Sequence, residues 1–407
     1  MNGGAENRPM FTALDGQTLL EIFKNIPTPC YIIEERKLQE NGRILAEVSK
    51  RTGCKILLAQ KAFSNYDCYS LLAPYLAGTE ASGLYEARLG AEEMPGKEVH
   101  VFCGAYREEE FPEILQYADH IVFNSPRQLR KFGWQAKQAG KSIGLRINPQ
   151  CSTQEGHAIY DPCAPGSRLG TTRTMWDEQM TEELVALLDG LHFHTLCEQD
   201  ADDLETTLQA VEEKFGDVLP IMKWLNMGGG HHITRPGYDV ERLEKCIRYA
   251  REKWSLEVYL EPGEAVALNA GYLATRVLDI VQNEDIRIAI LDVSAACHMP
   301  DVIEMPYTPP LYGAEANGTT SHTYRLAGPT CLAGDVIGDY SFEEELQEGD
   351  LLLLGDMAIY TTCKNNTFNG MPLPNIWKRT VDGELVRLTS FGYNEFKSRL
   401  GSKMHTD

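Results

Sequence analysis

The 407-residue chain reads as an α/β protein: a (β/α)8 TIM-like barrel followed by a C-terminal antiparallel β domain that the N-terminal segment completes. Three observations predict this. Between residues 55 and 262 short apolar runs alternate with amphipathic stretches, the pattern of repeated β-α units around a parallel sheet. After Gly271 the helical period gives way to alternating, strand-like runs broken by Gly, Pro and Asn. Before residue 40, PTPCYIIEE has the character of a strand that precedes the first barrel helix. The expected divisions are 1–40, 41–271 and 272–407.

Taken in order, the barrel strands are KILLAQ ending at Gln60, GTEASG at Gly83, VHVFC at Cys103, HIVFN at Asn124, SIGLRIN at Asn148, GLHFHT at Thr195, WLNMG at Gly228 and VYLEP at Pro262. Eight is the number that closes a barrel. Helical spacing of apolar residues behind a polar cap predicts helices after Ser125 and after Asp200. One connection is oversized: residues 149–173, rich in Pro, Gly and Cys, follow the fifth strand, and a long insertion in a compact domain usually serves function. Beyond Gly271, YLATRVLDIV, RIAILDVSA, DLLLLGDMAIYTT and GELVRLTSFG supply the strands of the second domain.

Composition bounds the function. The chain is 43% hydrophobic and 24% charged, ordinary for a globular protein, and carries 59 acidic against 38 basic side chains, a net charge of −21. That field argues against nucleic acid and anionic membranes as partners and favours a cationic ligand, although an acidic surface also serves solubility alone. Eleven cysteines, scattered without CxxC pairs or zinc-like Cys/His spacing, predict reduced thiols in the cytoplasm, with no disulfide framework and no metal site legible. No stretch has the form of a signal peptide or a membrane span.

Barrels of this kind place their active sites at the C-terminal strand ends, so polar residues there are the candidates. Lys61 follows the first strand, Arg146 and Asn148 end the fifth, His194 lies on the sixth, Gly228, Gly229 and Gly230 follow the seventh, and Glu261 and Glu264 the eighth. A lysine desolvated at the end of an apolar strand is a nucleophile toward an aldehyde. Three glycines leave backbone N–H groups open to a phosphate, and a helix N-terminus expected directly behind them adds favourable polarity. Glu261 is placed to face a ring nitrogen, and an imidazole inside the barrel can stack on a ring. Taken singly, a snorkelling lysine, a tight turn, a structural ion pair and a satisfied core histidine explain each of these. In this order, each at its own strand end, they are more specific together.

The series LLAQKAFS, GLHFHT, NMGGG, EPGEA, GPTCLAGD and GDMAIYTT resembles the fold-type III decarboxylases, which include ornithine, arginine and diaminopimelate decarboxylases, over nearly the whole chain. YDPCAPGSRLG, CHMPDVIEMPY and EPGEA are most similar to the carboxynorspermidine (carboxyspermidine) decarboxylase branch; relatives commonly have Arg where this chain has Glu264. The resemblance implies pyridoxal 5'-phosphate as cofactor, held covalently by Lys61, stacked by His194, paired at its nitrogen by Glu261, and gripped at its phosphate by Gly228 to Gly230 and Tyr360, with Arg146 nearby. It implies that Cys331 enters the site of a partner subunit as proton donor, hence a homodimer. Glu264, Asp301 and Asp335 are the carboxylates expected to meet the ammonium groups of a polyamine substrate. Decarboxylation of another diamino acid on the same fold is the alternative. A non-catalytic regulator would be expected to lack Lys61 or Cys331.

Overall fold

In a computed structural model, residues 16–154, 160–316 and 321–401 are described, and the chain divides into two compact units. One is Asn41–Leu268; the other combines the described residues of Met1–Glu40 and Asn269–Asp407.

The second unit is built on a ten-stranded sheet that begins with the N-terminal strand β1 (Cys30–Glu34). β1 lies antiparallel to what becomes β10 (Gly271–Asn283) and parallel to Asn375–Arg379 near the other end of the chain, so one short segment bridges distant parts of the sequence. Pairing is otherwise mainly antiparallel; a second parallel ladder joins Ile286–Leu291 to His322–Ala327. Leu19, Phe23 and Ile26 pack beneath β1 and β10 against Ile32, Tyr272 and Leu353 to form this unit's core.

The first unit is a closed barrel of eight parallel strands: β2 (Lys55–Ala59), β3 (Gly78–Ala81), β4 (Glu98–Phe102), β5 (His120–Phe123), β6 (Ser142–Arg146), β7 (Gly190–His192), β8 (Trp224–Asn226) and β9 (Glu257–Leu260). β2 pairs with β9 to close the ring, Lys55 opposite Tyr259. Small residues opposite large ones fill its interior. A Cβ on Gly190 would lie 2.0 Å from the Trp224 indole, so only glycine lets that ring cross the barrel, where its Nε1 donates to Ser142 Oγ at 2.9 Å. Leu57, Val122 and Tyr259 complete the packing around it.

The helices begin at sequence-legible caps. Ser125 Oγ accepts from the Gln128 N–H ahead of Pro126–Gln138, and Asp200 and Asp203 form a capping box ahead of Ala201–Phe215. The long connection after β6 is irregular where described, and Asn124 pins it, its side chain bonding the Arg168 carbonyl at 2.9 Å and the Gly170 N–H at 2.7 Å. Among the described residues no helix is long and apolar enough to cross a membrane.

Candidate active site at the barrel mouth

The C-terminal ends of the barrel strands enclose a cavity of about 270 Å³. Lys61, Glu80, Arg146, His192, His194 and Glu261 all line it, with Phe102 supplying an apolar wall. Arg168 and Leu169 line it too, so the oversized connection contributes to the site.

Glu261 is 5% exposed and anchored from two sides: Asn226 Nδ2 donates to one oxygen at 2.5 Å, and His192 Nε2 lies 2.9 Å from the other. Burial pushes this carboxyl up, but the facing His192 and the Asn226 amide outweigh it and hold Glu261 below the usual carboxylate range, hence ionised. Glu80 goes the other way. Burial, reinforced by the negative charge on Glu261, raises it well above the usual range and favours its protonated form. The two carboxyl groups of one cavity are thus pushed in opposite directions, Glu261 toward the ionised form and Glu80 toward the protonated one.

His194 is neutral, because burial and then the positive charges of Lys61 and Arg146 disfavour its protonation. Its Nδ1 accepts from the Gly229 N–H at 3.1 Å, which leaves the proton on Nε2. Arg146 lays its guanidinium over the Phe102 ring at 4.7 Å and donates to the His194 carbonyl at 3.2 Å; burial brings it down to about 10, still charged at neutral pH.

The triglycine turn departs from expectation in one respect. Gly228 and Gly230 have φ of +69° and +81°, but no helix starts behind them: Pro236 and Gly237, the latter at φ +85°, keep the chain in turns until the helix Val240–Trp254. The helix-end contribution to anion binding is therefore absent there. Two amides are engaged within the protein, Gly229 as above and Gly228 with Asn226 Oδ1 at 2.9 Å.

Other expected residues meet different fates. Lys61 is exposed at the cavity rim, and its neighbours include the acids Glu80 and Glu86, so the apolar surroundings expected for its amine are corrected to ionic ones. Glu264 is not among the cavity-lining residues; it is the first residue of the short helix Glu264–Ala267 and faces His232, Nδ1 to Oε1 3.6 Å. In the sheet unit, Asp335 is buried and its carboxylate is spent on Ser294 Oγ (3.0 Å), the Ala296 N–H (3.2 Å) and Thr330 Oγ1 (2.6 Å). These three bonds brace the Asp335 carboxylate. Asp301 pairs with Lys364, which also holds Glu304 at 2.5 Å, so a substrate ammonium would compete with an existing cation. Cys331 is exposed, its N–H bonded to Asn369 Oδ1 at 2.8 Å, and Tyr360 is partly buried with a φ of +50°.

Sequence reasoning missed Glu80, His192 and Asn226. The signal for His192 was present: in GLHFHT, strand alternation puts His192 and His194 on one face and buries Phe193 on the other. Glu80, inside GTEASG, had no distinguishing neighbour.

A family profile described as "Pyridoxal-dependent decarboxylase, C-terminal sheet domain" matches residues 30–358. The chain is 42% identical over 388 residues to a carboxynorspermidine/carboxyspermidine decarboxylase of Campylobacter jejuni, covering 93% of this chain and 99% of that one. It is 41% identical over 378 residues to a carboxyaminopropylagmatine decarboxylase of Synechocystis, covering 93% and 96%. Among solved structures it is similar to the carboxynorspermidine decarboxylase of Campylobacter jejuni complexed with norspermidine, with a TM-score of 0.83 at 42% identity over 92% of this chain and all of that one.

Proposed function

Because the chain belongs to the pyridoxal-dependent decarboxylases, we propose that it removes the α-carboxylate of carboxynorspermidine or carboxyspermidine, giving norspermidine or spermidine and carbon dioxide in polyamine biosynthesis. The observation that carries this reading is one cavity joining the Lys61 amine, an ionised buried Glu261 and a neutral His194, in a chain 42% identical to a protein of that activity over nearly its full length.

The residues fit pyridoxal phosphate. An amine, a buried carboxylate and an imidazole line one cavity, and beside it is a turn too tight for side chains, where a Cβ on Gly229 would lie 2.4 Å from the Glu261 carbonyl oxygen. Bound there, the cofactor supplies an electron sink for the electron pair left when carbon dioxide departs. Lys61 would hold the aldehyde, Glu261 the ring nitrogen and His194 the ring face. The turn at Gly230 would hold the phosphate, since Gly228 and Gly229 spend their N–H groups on Asn226 and His194, and Arg146, charged beside His194, would steady that imidazole. Glu261 is suited to its part because His192 and Asn226 keep it ionised and immobile. The carbon that loses carbon dioxide must gain a proton; Cys331 of a second copy gives it from its thiol and regains one from solvent. The barrel would carry the cofactor.

The working form is a homodimer in the cytoplasm. Supporting this, Cys331 is exposed beside Leu332 and Phe368, apolar side chains 44% and 47% exposed, and all eleven cysteines are free. A monomer that retains full activity in analytical ultracentrifugation coupled to assay would reject the shared site.

The similarity to the Synechocystis enzyme favours a second substrate of the same class, carboxyaminopropylagmatine. The deciding experiment measures carbon dioxide release by purified, cofactor-loaded protein from these three compounds and from diaminopimelate. Carboxynorspermidine and carboxyspermidine are expected to be the better substrates, separated from each other by no more than about 200-fold because one methylene distinguishes them. Release from diaminopimelate alone would overturn the assignment.

A further inference from the structure

Outside the cavity, Glu198, His232 and Glu264 bring one ligand atom each to within 4.8 Å of one another. They come from three different strand-end segments, following β7, β8 and β9, so nothing in their sequence spacing announces a site. We propose that they form a binding site for one divalent first-row metal ion, with one imidazole nitrogen and two carboxylate oxygens as protein ligands.

His232 carries the argument. Its side chain is 90% buried, its Nδ1 has no hydrogen-bond partner, and that nitrogen points at Glu264 Oε1 from 3.6 Å. The separation is too long for a hydrogen bond. It is close to the roughly 3.3 Å that two ligands on one ion keep when each bond is about 2.0–2.1 Å and the angle tetrahedral. A buried nitrogen without a partner is costly, and a metal ion satisfies it while neutralising two neighbouring carboxylates.

The three segments are also laced by bonds that do not use the ligand atoms. The His232 N–H donates to the Gln199 carbonyl at 3.2 Å, and the Gln199 N–H to the Gly230 carbonyl at 2.9 Å, fixing Glu198 beside His232. Thr234 Oγ1 donates to the Ala265 carbonyl at 2.6 Å, fixing Glu264 beside the same segment. The ligands are thereby preorganised by other contacts, as metal sites require. One nitrogen and two oxygens without a thiolate suit Mn²⁺, Fe²⁺ or Zn²⁺ rather than a soft ion. The ion would clamp three loops at the barrel mouth.

The test uses cofactor-loaded protein dialysed against chelator. It is titrated with Mn²⁺ followed by the paramagnetic resonance of the free ion, and with Zn²⁺ in competition with a chromogenic chelator. Binding of one equivalent per chain by either ion is expected, together with a rise in Tm on addition. His232→Gln and the surface variant Glu198→Gln should each weaken that binding by at least about tenfold. Absence of stoichiometric binding of both ions, or binding that neither substitution changes, overturns the proposal. Failure of the decarboxylation assay would leave this result standing, because the readout is the bound ion.

Discussion

The two ends of the barrel hold nearly the same inventory and use it oppositely. At the N-terminal end stand Lys55, Glu98, Glu257, His100 and His120; at the C-terminal end stand Lys61, Glu80, Glu261, His192 and His194. At the first end the lysine and both carboxylates are paired, although His100 Nδ1 and His120 Nδ1 have no hydrogen-bond partner among the described residues. Lys55 bridges Glu98 at 2.5 Å and Glu257 at 2.9 Å, His100 bonds Glu98 at 3.0 Å and stacks on His120 at 3.9 Å, and Tyr259 donates to Glu257 at 2.7 Å. At the second end only Glu261 is fully held, while Lys61 and the Glu80 carboxyl make no direct ion pair among the described residues. Pairing of the lysine with carboxylates spends those charges on stability; the set at the other end leaves an amine open for chemistry.

The largest expected contrast is between the two lysines. Lys61→Ala should cut carbon dioxide release by about 10³-fold or more and abolish the absorbance of the bound aldehyde, as removal of a nucleophile does. Lys55→Met should leave kcat within about twofold of the parent and lower the unfolding free energy by about 1–2 kcal/mol, a range below that of fully buried pairs because both partners are a third exposed. A Lys55 variant without activity but with native stability would break the comparison.

Next comes the anchor of Glu261. His192→Leu leaves that carboxylate with one donor, so kcat should fall about 10- to 100-fold, equivalent to the 1–3 kcal/mol of a lost hydrogen bond to a charged group. His192→Gln keeps a donor and should recover part of the loss. Cofactor absorbance followed against pH separates this positioning effect from misfolding: the ring-nitrogen titration should move in the Leu variant and return in the Gln variant.

The carboxyls sharpen the contrast further, with opposite signs. Burial pushes Glu98 up, but bonds from His100 and Lys55 outweigh it and hold the group at about 2. Its folded value is depressed, so its contribution is present above about pH 4.5 and is lost as pH falls toward about 2. Glu80 is raised, so the folded state favours its protonated form, and raising the pH works against the fold. Glu80→Gln should therefore match the parent's Tm at pH 5 and exceed it increasingly toward pH 9, whereas Glu98→Gln should fall below the parent at pH 7 and converge with it in acid.

The smallest effect concerns His120. Burial, with the neighbouring His100 charge, lowers it to about 3, so it stays neutral when folded and its contribution is lost as pH falls from about 6.5 toward 3. His120→Gln should flatten Tm against pH across that window by a few degrees in a differential scanning series, without altering activity at pH 8.

Much of this was readable along the chain. Most of the eight barrel strands carry a short apolar run, because a strand covered on both faces needs apolar residues on both; Gly78–Ala81, with Thr79 and Glu80, does not. The caps at Ser125 and Asp200, the strand character of Cys30–Glu34, and Lys61, His194, Arg146 and Glu261 as strand-end polar residues were all local features. Glu80 was not legible, because a carboxylate in a strand declares itself only when its neighbours across the barrel are known. Nor was the bracing role of Asp335: its partners Ser294 and Ala296 lie about forty residues away.

Residue type and period by themselves determined the number of barrel strands and which strand ends carry polar groups, because alternation and capping act over a few residues; the nine strands described from Gly271 on exceed the four runs legible there. Only the tertiary structure decided which of those groups share a cavity, which are neutralised by partners and which remain charged or protonated. Those properties depend on burial and on charges brought within a few ångströms by ring closure, and Coulomb and desolvation energies are set by distance in space, not by separation along the chain.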